Sequence, residues 1–435
     1  MALLIRNLSQ IATPTAVRGA DIRVYENAVI VIDDGRFAYI GPERDKPSEL
    51  VIDDDFDARG GTAIPGFVDT HTHLPFAGFR ESEFNRRLHG ETYEQIAASG
   101  GGIASTVRAT RAASEAELTA NVAARARTMA QYGTTTAEAK SGYGLNLDDE
   151  LKQLRAIAAA NRSAAVPAAG SAASRRRDGG GPAGEDAGAP MSPVRLVPTC
   201  LAAHDFPPER RGDDVYVDEI VERILPAVAE AKLAVFCDAF VERGAFSREQ
   251  GERVLRAGAA LGFIPRLHAD EFSDTDGAAL AASLGAASAD HLMHVSDRGI
   301  AALAASDTVA NLLPATSFFL MSDRYAPARR LLDAGAIVSL STDCNPGSSM
   351  TESMPMAIQL ACLQMKMTVE EALTAATLNG AYSLRLSDRI GSIETGKQAD
   401  LVLLSAPNYL HLVYHFGVNL VATVFVSGTL VSRLS

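Results

Sequence analysis

Cysteine, excess positive charge and long apolar runs are scarce in these 435 residues, and each scarcity excludes a class of protein. The four cysteines have no CxxC spacing, which favours buried, reduced thiols over a disulfide framework or a thiolate metal site. Lysine and arginine total 40 against 53 aspartates and glutamates, and the resulting charge of −13 argues against a nucleic-acid partner. Neither a secretory leader nor an apolar run of about 18 residues is present, so we expect a cytoplasmic protein with no membrane association.

Both ends of the chain carry short apolar stretches separated by turn residues, a pattern typical of β-strands. These stretches are residues 3–5, 28–32, 37–40, 401–404 and 420–426. We predict that residues 1–64 and 386–435 form one small β-sandwich-like domain.

Between the ends, eight β-type runs that finish in polar side chains alternate with stretches of helical periodicity. The runs are Thr62–His73, Thr134–Tyr143, Val194–His204, Ala234–Glu242, Gly262–Glu271, Ala286–Met293, Thr308–Thr316 and Ala336–Asp343. Asp213–Lys232 has the i, i+3, i+4 apolar spacing of an amphipathic crossover helix. Because a closed parallel barrel requires eight strands, we predict an α/β protein with a (β/α)8 barrel over residues 65–385.

Residues 163–193 interrupt this alternation, since 23 of the 31 are alanine, glycine, proline or serine. Such a stretch buries too little apolar surface to offset its ordering entropy, so we predict a flexible insertion without catalytic function. The arginines at 175–177 could instead form a binding patch, but a solvated charge run in a loop is the favoured interpretation.

Polar residues that end the strands of a parallel barrel lie together on one rim, where the active sites of such folds are found. Five of the nine histidines end the predicted runs: His71, His73, His204, His268 and His291. Other runs end in Lys140, Tyr143, Glu242, Asp270, Glu271 and Asp343. One histidine is more often structural than functional, but five on one rim favour a site.

His71 and His73 are two residues apart, so on a strand both imidazoles face the same side. With His268 and Asp343 they make a set of three imidazoles and one carboxylate, which suits zinc, with iron or manganese as alternatives. The competing interpretation is that Asp343 caps a turn and His268 satisfies a hydrogen bond in the core.

The segment Pro65–His73 resembles the opening strand of the amidohydrolase superfamily. Five other segments resemble the branch of that superfamily that opens 4-imidazolone-5-propanoate to N-formimino-L-glutamate in histidine degradation. They read FAGFRESEF, EAKSGYGL, LHADEF, SADHL and STDCNPGSS. The similarity covers essentially the whole chain apart from residues 163–193.

The resemblance implies a metal-dependent hydrolase acting on a small molecule. One divalent or trivalent ion, with zinc preferred and iron as the alternative, is implied at His71, His73, His268 and Asp343. Substrate contacts are implied for Arg80, Tyr93, Tyr143, His204 and Glu271. The implied catalytic residues are Glu271, His291 and Asp343. The residues implied to lie next to the bound product are Asn345, Gly347 and Ser348.

Physical chemistry supports these implied roles unequally. The guanidinium of Arg80 can hold a propionate in a bidentate pair, although an arginine at a solvated helix start is the alternative. Glu271 can handle protons or act as a first-turn carboxylate. The turn at 345–349 could offer backbone N–H groups to an anion, or be an ordinary turn.

Lys140 has two interpretations. In binuclear relatives a carbamylated lysine bridges two metals, but four ligands already complete the shell of a single ion. We therefore expect Lys140 to pair with a carboxylate such as Glu138.

In the implied reaction a metal makes hydroxide available at neutral pH. Asp343 or Glu271 would take the proton of the attacking water, His291 would stabilise the oxyanion, and Glu271 would protonate the departing ring nitrogen. The sequence leaves this division of roles open. It also leaves open whether the chain forms a homodimer.

Two rival functions are weighed against this one. A deaminase of the superfamily would keep the metal ligands and leave Arg80 without a carboxylate to bind. A non-catalytic scaffold of the same fold would be expected to lack metal ligands, and none is missing here.

Overall fold

The computed structural model describes residues 2–91, 95–96, 99–161, 192–207, 209–210 and 212–433. Tyr93 and all but the last two residues of the predicted insertion at 163–193 lie outside the described residues. All four cysteines are free, and three of them are buried.

The described part of the chain consists of strands, helices and short connecting loops. The strands are β1 (Leu3–Arg6), β2 (Gln10–Pro14), β3 (Ile22–Tyr25), β4 (Val29–Asp33), β5 (Arg36–Gly41), β6 (Asp54–Asp57), β7 (Thr62–Pro65), β8 (Phe67–Asp69), β9 (Thr134–Lys140), β10 (Arg195–Ala203), β11 (Phe236–Val241), β12 (Ile264–Ala269), β13 (Ser288–His291), β14 (Val309–Leu312), β15 (Val338–Leu340), β16 (Leu401–Leu404), β17 (Val421–Val426) and β18 (Thr429–Arg433). The α-helices are Glu81–Leu88, Ile103–Ala112, Glu115–Gln131, Leu147–Asn161, Asp214–Glu219, Leu225–Glu230, Arg248–Ala260, Gly277–Ser283, Asp297–Ala304, Pro314–Phe319, Ala328–Asp333, Met354–Met365, Val369–Ala376, Leu378–Ser383 and His411–Tyr414. Within these described ranges, no helix is both long and apolar enough to cross a membrane.

The strands β8 to β15 form one parallel sheet in the order in which they occur along the chain. The sheet closes where the segments after β8 and β15 meet: the Asp343 N–H donates to the His71 carbonyl (3.1 Å), and the His73 N–H donates to the Cys344 carbonyl (3.0 Å). All seven residues of β9 are buried, as expected of a strand covered on both faces. The predicted (β/α)8 barrel is therefore confirmed.

Two further sheets are built from the chain ends, with strand orders β5-β4-β1-β6 and β18-β17-β16-β7-β2-β3. In the second sheet β16 runs antiparallel to β7, with Leu401 opposite Pro65, so the two ends pair as predicted. The apolar core of this region includes Ile5, Ile30, Phe37, Leu403 and Phe425.

The first predicted run, Thr62–His73, is two strands instead of one, because β7 belongs to the terminal sheet and β8 to the barrel. Gly66 lies between them and donates its N–H to the Asp400 carbonyl (3.0 Å). A Cβ at Gly66 would overlap the side chain of Thr135, so the chain changes sheets at a residue without a side chain.

Replacement of residues 164–191 by a short Gly/Ser link is expected to leave the melting temperature and turnover nearly unchanged. The Ser192 N–H already donates to the Ala160 carbonyl (3.0 Å), so the link joins segments that are in contact. Closing a flexible loop costs only about 0.6 kcal/mol per doubling of its length. Calorimetry and a steady-state assay check this, and a large loss of turnover in a folded variant would contradict it.

Candidate active site

Five histidine side chains converge at the C-terminal ends of the barrel strands. His71 and His73 follow β8, His204 follows β10, and His268 and His291 belong to β12 and β13. The ring centroid of His71 lies 4.4 Å from that of His268 and 5.3 Å from that of His73. The His73 ring stacks on His204 at 5.0 Å, and His291 lies 5.2 Å from His268. The structure therefore brings together all five histidines that the sequence placed on the rim.

Asp343 adds a carboxylate to this cluster. Its Oδ1 lies 3.5 Å from Nε2 of both His71 and His73. Its Oδ2 accepts a hydrogen bond from the Thr316 hydroxyl (2.7 Å), which fixes the carboxylate plane. The backbone of Asp343 has φ +56°, a left-handed conformation that costs energy outside glycine and is common at functional sites.

Several ring nitrogens in the cluster are buried and have no hydrogen-bond partner among the described residues. They are Nε2 of His71, Nδ1 of His73, both nitrogens of His268 and Nδ1 of His291. Buried polar atoms without partners are rare in folded proteins. Burial lowers the pKa of His71 and His73 well below the usual range, so both rings are neutral and carry a free lone pair. Neutral imidazoles with free lone pairs are suited to metal coordination.

The potential ligand atoms form three overlapping triads, in each of which they lie within 4.8 Å of one another. The triads are His71 with His268 and His291, His73 with His204 and His268, and His71 with His73 and Asp343. Each of the four predicted ligands occurs in at least one triad. The closed barrel together with this cluster at its rim indicates a metal site.

Two carboxylates behind the cluster orient its rings. Nδ1 of His71 donates to Asp290 Oδ2 (2.8 Å), which leaves Nε2 as the free nitrogen. Nδ1 of His268 lies 3.0 Å from Asp238 Oδ2, at ion-pair distance without hydrogen-bond geometry. Carboxylates in this position fix the tautomer of a ligand histidine and raise its basicity.

Lys140 is fully buried and joins these carboxylates. Its Nζ lies 2.7 Å from Asp238, 2.8 Å from Glu138 and 3.8 Å from Asp290. Burial by itself would lower the pKa of Lys140, but Asp238 and Glu138 outweigh it, so the pKa is raised and the amine stays charged. The expectation that Lys140 pairs with a carboxylate is confirmed.

Glu271 and His291 lie together beside the histidine cluster. Glu271 Oε1 is 3.6 Å from His291 Nδ1. Burial raises the pKa of Glu271 well above its usual range, and the carboxylates of Asp343 and Glu242 raise it further, which favours its protonated form. Burial lowers the pKa of His291 to about 3, so its ring is neutral. The pair therefore combines a carboxyl group whose protonated form is favoured by its surroundings with a neutral imidazole.

Two other carboxylates at strand ends anchor loops. Glu242 Oε2 accepts the N–H groups of Phe272 (2.8 Å) and Ser273 (3.1 Å). Asp270 accepts the N–H groups of Gly277 and Ala278, both at 3.0 Å, at the start of a helix. These contacts fix the loops beside the site and leave Glu271 as the carboxylate of this segment that faces the histidines.

Arg80 lies at the start of the helix Glu81–Leu88, on the loop after β8. Its Nε donates to Glu83 Oε2 (2.8 Å), which fixes one edge of the guanidinium. Its Nη1 lies where a Cβ at Gly347 would be, so the missing side chain of Gly347 makes room for it. Arg80, predicted to contact the substrate, and the turn after β15, predicted to border the product, are therefore in contact.

That turn is held internally by Asn345. Asn345 Oδ1 accepts the N–H groups of Gly347 (2.8 Å) and Ser348 (2.9 Å), and its Nδ2 donates to the Asp343 carbonyl (2.7 Å). The backbone N–H groups considered for an anion are therefore paired within the turn. The Ser348 hydroxyl lies 3.4 Å from Asp343 Oδ2.

Sequence reasoning missed the carboxylates that orient the histidines. Asp238 stands inside an otherwise apolar strand, and Asp290 stands inside a strand whose four residues are all buried. Charged residues are almost never fully buried without a partner, so a single carboxylate in such a strand was the available signal. Tyr93, which was also predicted to touch substrate, lies outside the described residues.

The closed barrel and its rim define a hydrolase of the amidohydrolase class. The sequence pattern of the amidohydrolase family matches residues 265–431. Solved structures that share the fold include a 5-methylcytosine deaminase from Klebsiella pneumoniae, with TM-score 0.71, 16% identity and coverage of 100% of this chain and 98% of the other. An adenosine deaminase from Xanthomonas campestris, with bound zinc, has TM-score 0.66, 19% identity and coverage of 98% and 92%.

Curated relatives give the closer assignment. An imidazolonepropionase of Symbiobacterium thermophilum is 47% identical over 419 residues, which cover 95% of this chain and 92% of that protein. An imidazolonepropionase of Porphyromonas gingivalis is 44% identical over 441 residues, covering 99% and 97%. The chain belongs to the imidazolonepropionase family.

Substitution Lys140→Met is expected to destabilise the fold by about 3 kcal/mol, because it leaves buried carboxylates without their counter-charge. The double variant Lys140→Met/Glu138→Gln removes one of those charges and is expected to recover part of the loss. Urea unfolding of the metal-free proteins measures both. A Lys140→Met protein as stable as the parent would show that the buried pairs contribute little.

Proposed function

We propose that the chain hydrolyses 4-imidazolone-5-propanoate to N-formimino-L-glutamate, using one metal ion held by His71, His73, His268 and Asp343. The observation that carries this proposal is the buried set of unpartnered imidazole nitrogens around the Asp343 carboxylate. Imidazole nitrogens and carboxylate oxygens are the ligands that hydrolytic zinc sites use. The names of relatives at 42–47% identity support the substrate.

Zinc is the proposed metal and iron the alternative. Nitrogen and oxygen donors without thiolate suit both ions, so the donor set alone does not separate them. The zinc in the adenosine deaminase of the same fold favours zinc. When bound, the metal supplies a Lewis acid and activated water at neutral pH.

Three side chains of the site are assigned the proton transfers and the stabilisation of charge. We assign the uptake of the water proton to the Asp343 carboxylate, which lies between His71 and His73. Because its protonated form is favoured, Glu271 is assigned the delivery of a proton to the departing ring nitrogen. Neutral His291, 3.6 Å from Glu271, is assigned the stabilisation of the developing oxyanion.

Substrate recognition is assigned to groups around this centre. We propose that Arg80 binds the propionate, and that Tyr143 and His204, whose rings lie 5.2 Å apart, flank the imidazolone ring. The turn that carries Asn345, Gly347 and Ser348 is proposed to border the product beside Arg80. From the sequence resemblance we also propose that Tyr93 contacts the substrate.

Three broader assignments are proposals as well. We divide the chain into a barrel over residues 65–385 and a terminal β domain from residues 1–64 and 386–435. We place the enzyme in the cytoplasm, acting on a small molecule without nucleic acid or membrane. A homodimer is the proposed assembly.

The metal-loaded protein is expected to contain about one equivalent of metal per chain, because the four ligands make one site. His268→Ala removes one ligand and is expected to lose most of the metal, whereas His415→Ala, at an exposed position, keeps it. Elemental analysis after gel filtration measures both. Two equivalents that depend on Lys140 would contradict the single-metal site.

Arg80→Ala is expected to lower kcat/KM for the imidazolone propionate by about 100-fold, because the substrate carboxylate loses its partner in a largely desolvated site. Arg80→Lys keeps the positive charge but cannot form the bidentate pair of a guanidinium, and its kcat/KM is expected to fall about tenfold. Steady-state kinetics, with metal content measured in parallel, check both.

A substrate analogue with a neutral amide in place of the carboxylate is the control for Arg80. Parent and Arg80→Ala should handle it alike, since the ion pair is absent in both. Full activity of Arg80→Ala on the acid would refute the carboxylate assignment and favour the deaminase alternative.

A further inference from the structure

Glu150 is a fully buried carboxylate that the proposed reaction does not use. It lies in the first turn of the helix Leu147–Asn161. Its Oε1 accepts the N–H groups of Gly144 and Leu145, both at 2.8 Å, and its Oε2 accepts the N–H of Gly142 at 3.1 Å. One side chain thus pairs three backbone donors of the loop that follows β9.

This loop has a backbone conformation that needs support. Gly142 has φ +107° and Leu145 has φ +53°, and the second value is unfavourable for leucine. A Cβ at Gly144 would lie 2.5 Å from the Glu150 nitrogen, so the loop is pressed against the helix start. Arg111 holds the opposite side of the loop through the Gly144 carbonyl (2.7 Å). The loop conformation therefore depends on contacts with buried and partly buried side chains.

The loop positions two groups of the active site, Tyr143 and the carbonyl that contacts His204. It carries Tyr143, whose N–H donates to Gln153 Oε1 (3.3 Å). It also carries the Gly142 carbonyl, which lies 2.9 Å from Nδ1 of His204. Since a carbonyl can only accept, His204 carries its proton on Nδ1, and Nε2 of this ring, which stacks on the His73 ring, keeps the lone pair.

We propose that Glu150, together with Gln153, is a positioning residue of the active site. Glu150 holds the Gly142 carbonyl where it selects the Nδ1–H tautomer of His204, and both side chains fix the backbone of Tyr143. A carboxylate is suited to this position because it offers only acceptors to three converging N–H groups. The kinetic consequence rests on the proposed contacts of Tyr143 and His204 with substrate.

The test replaces Glu150 by glutamine in the zinc-loaded, full-length enzyme. A glutamine keeps one acceptor oxygen for Gly144 and Leu145, but its amide NH2 group then faces the Gly142 N–H and cannot accept from it. Asp148→Asn is the matched control, because it removes an exposed carboxylate from the same helical turn. Each variant is measured for zinc content, kcat and KM, and for the imidazole nitrogen signals of 15N-histidine-labelled protein, with His204→Gln to assign the signal.

Glu150→Gln is expected to raise KM about tenfold, to keep one zinc and to lose or broaden the Nδ1–H signal of His204. Asp148→Asn should match the parent, and Glu150→Asp, which keeps the charge, should fall between. A folded Glu150→Gln enzyme with the parent KM and His204 signal would overturn the proposal. So would a loss of activity that follows zinc content alone, since that indicates a purely structural role.

Gln153→Met is the second variant, and it decides the question if Glu150→Gln does not fold. It removes the acceptor for the Tyr143 N–H and the donor to the Asp149 carbonyl (3.2 Å), but it leaves the bond between Glu150 and Gly142 in place. KM should therefore rise while the His204 signal stays unchanged. A parent-like KM would overturn the positioning role of the pair. If Tyr143→Phe and His204→Gln themselves leave KM unchanged, the proposed substrate contacts fail, and the His204 signal still tests Glu150.

Discussion

The ammonium group of Lys140 lies inside the closed barrel between Asp238 and Glu138, and the rest of the site is built outward from this buried ion pair. Asp238 reaches His268, and Asp290, the third carboxylate near Lys140, holds His71. Removing the lysine would leave several negative charges in a medium where each costs several kcal/mol. The orientation of two proposed metal ligands therefore depends on a cation that does not itself touch the ring nitrogens.

Buried carboxylates also have a second role along the rim, where they hold loops by accepting backbone N–H groups. Glu242 holds the loop after β12, Asp270 holds the next helix start, and Glu150 holds the loop after β9. Charge-assisted hydrogen bonds of this kind are stronger than neutral ones. These bonds fix the rim around Glu271 and Asp343, the two carboxylates that we propose transfer protons.

The barrel was predictable because strands covered on both faces appear in the sequence as continuous apolar runs that end in polar residues. The division of the first run into two strands was not predictable, because it depends on the pairing of β7 with the terminal sheet and on the close approach of Thr135 to Gly66. The predicted helix at 213–232 is likewise interrupted by a π-helical turn at Ile220–Ile224. The histidines on the rim followed from strand ends, whereas Asp238 and Asp290 became meaningful only when the fold placed them behind the rings.

We propose that three histidines and one aspartate hold a single metal ion, and that buried carboxylates behind the rings orient two of the histidines. A crystal structure of the zinc-loaded enzyme, with anomalous data at the zinc edge, tests it most directly. We expect one peak at about 2.0–2.2 Å from ligand atoms of His71, His73, His268 and Asp343. A second peak bridged by Lys140, or a single ion bound by His204 or His291 in place of Asp343, would contradict it.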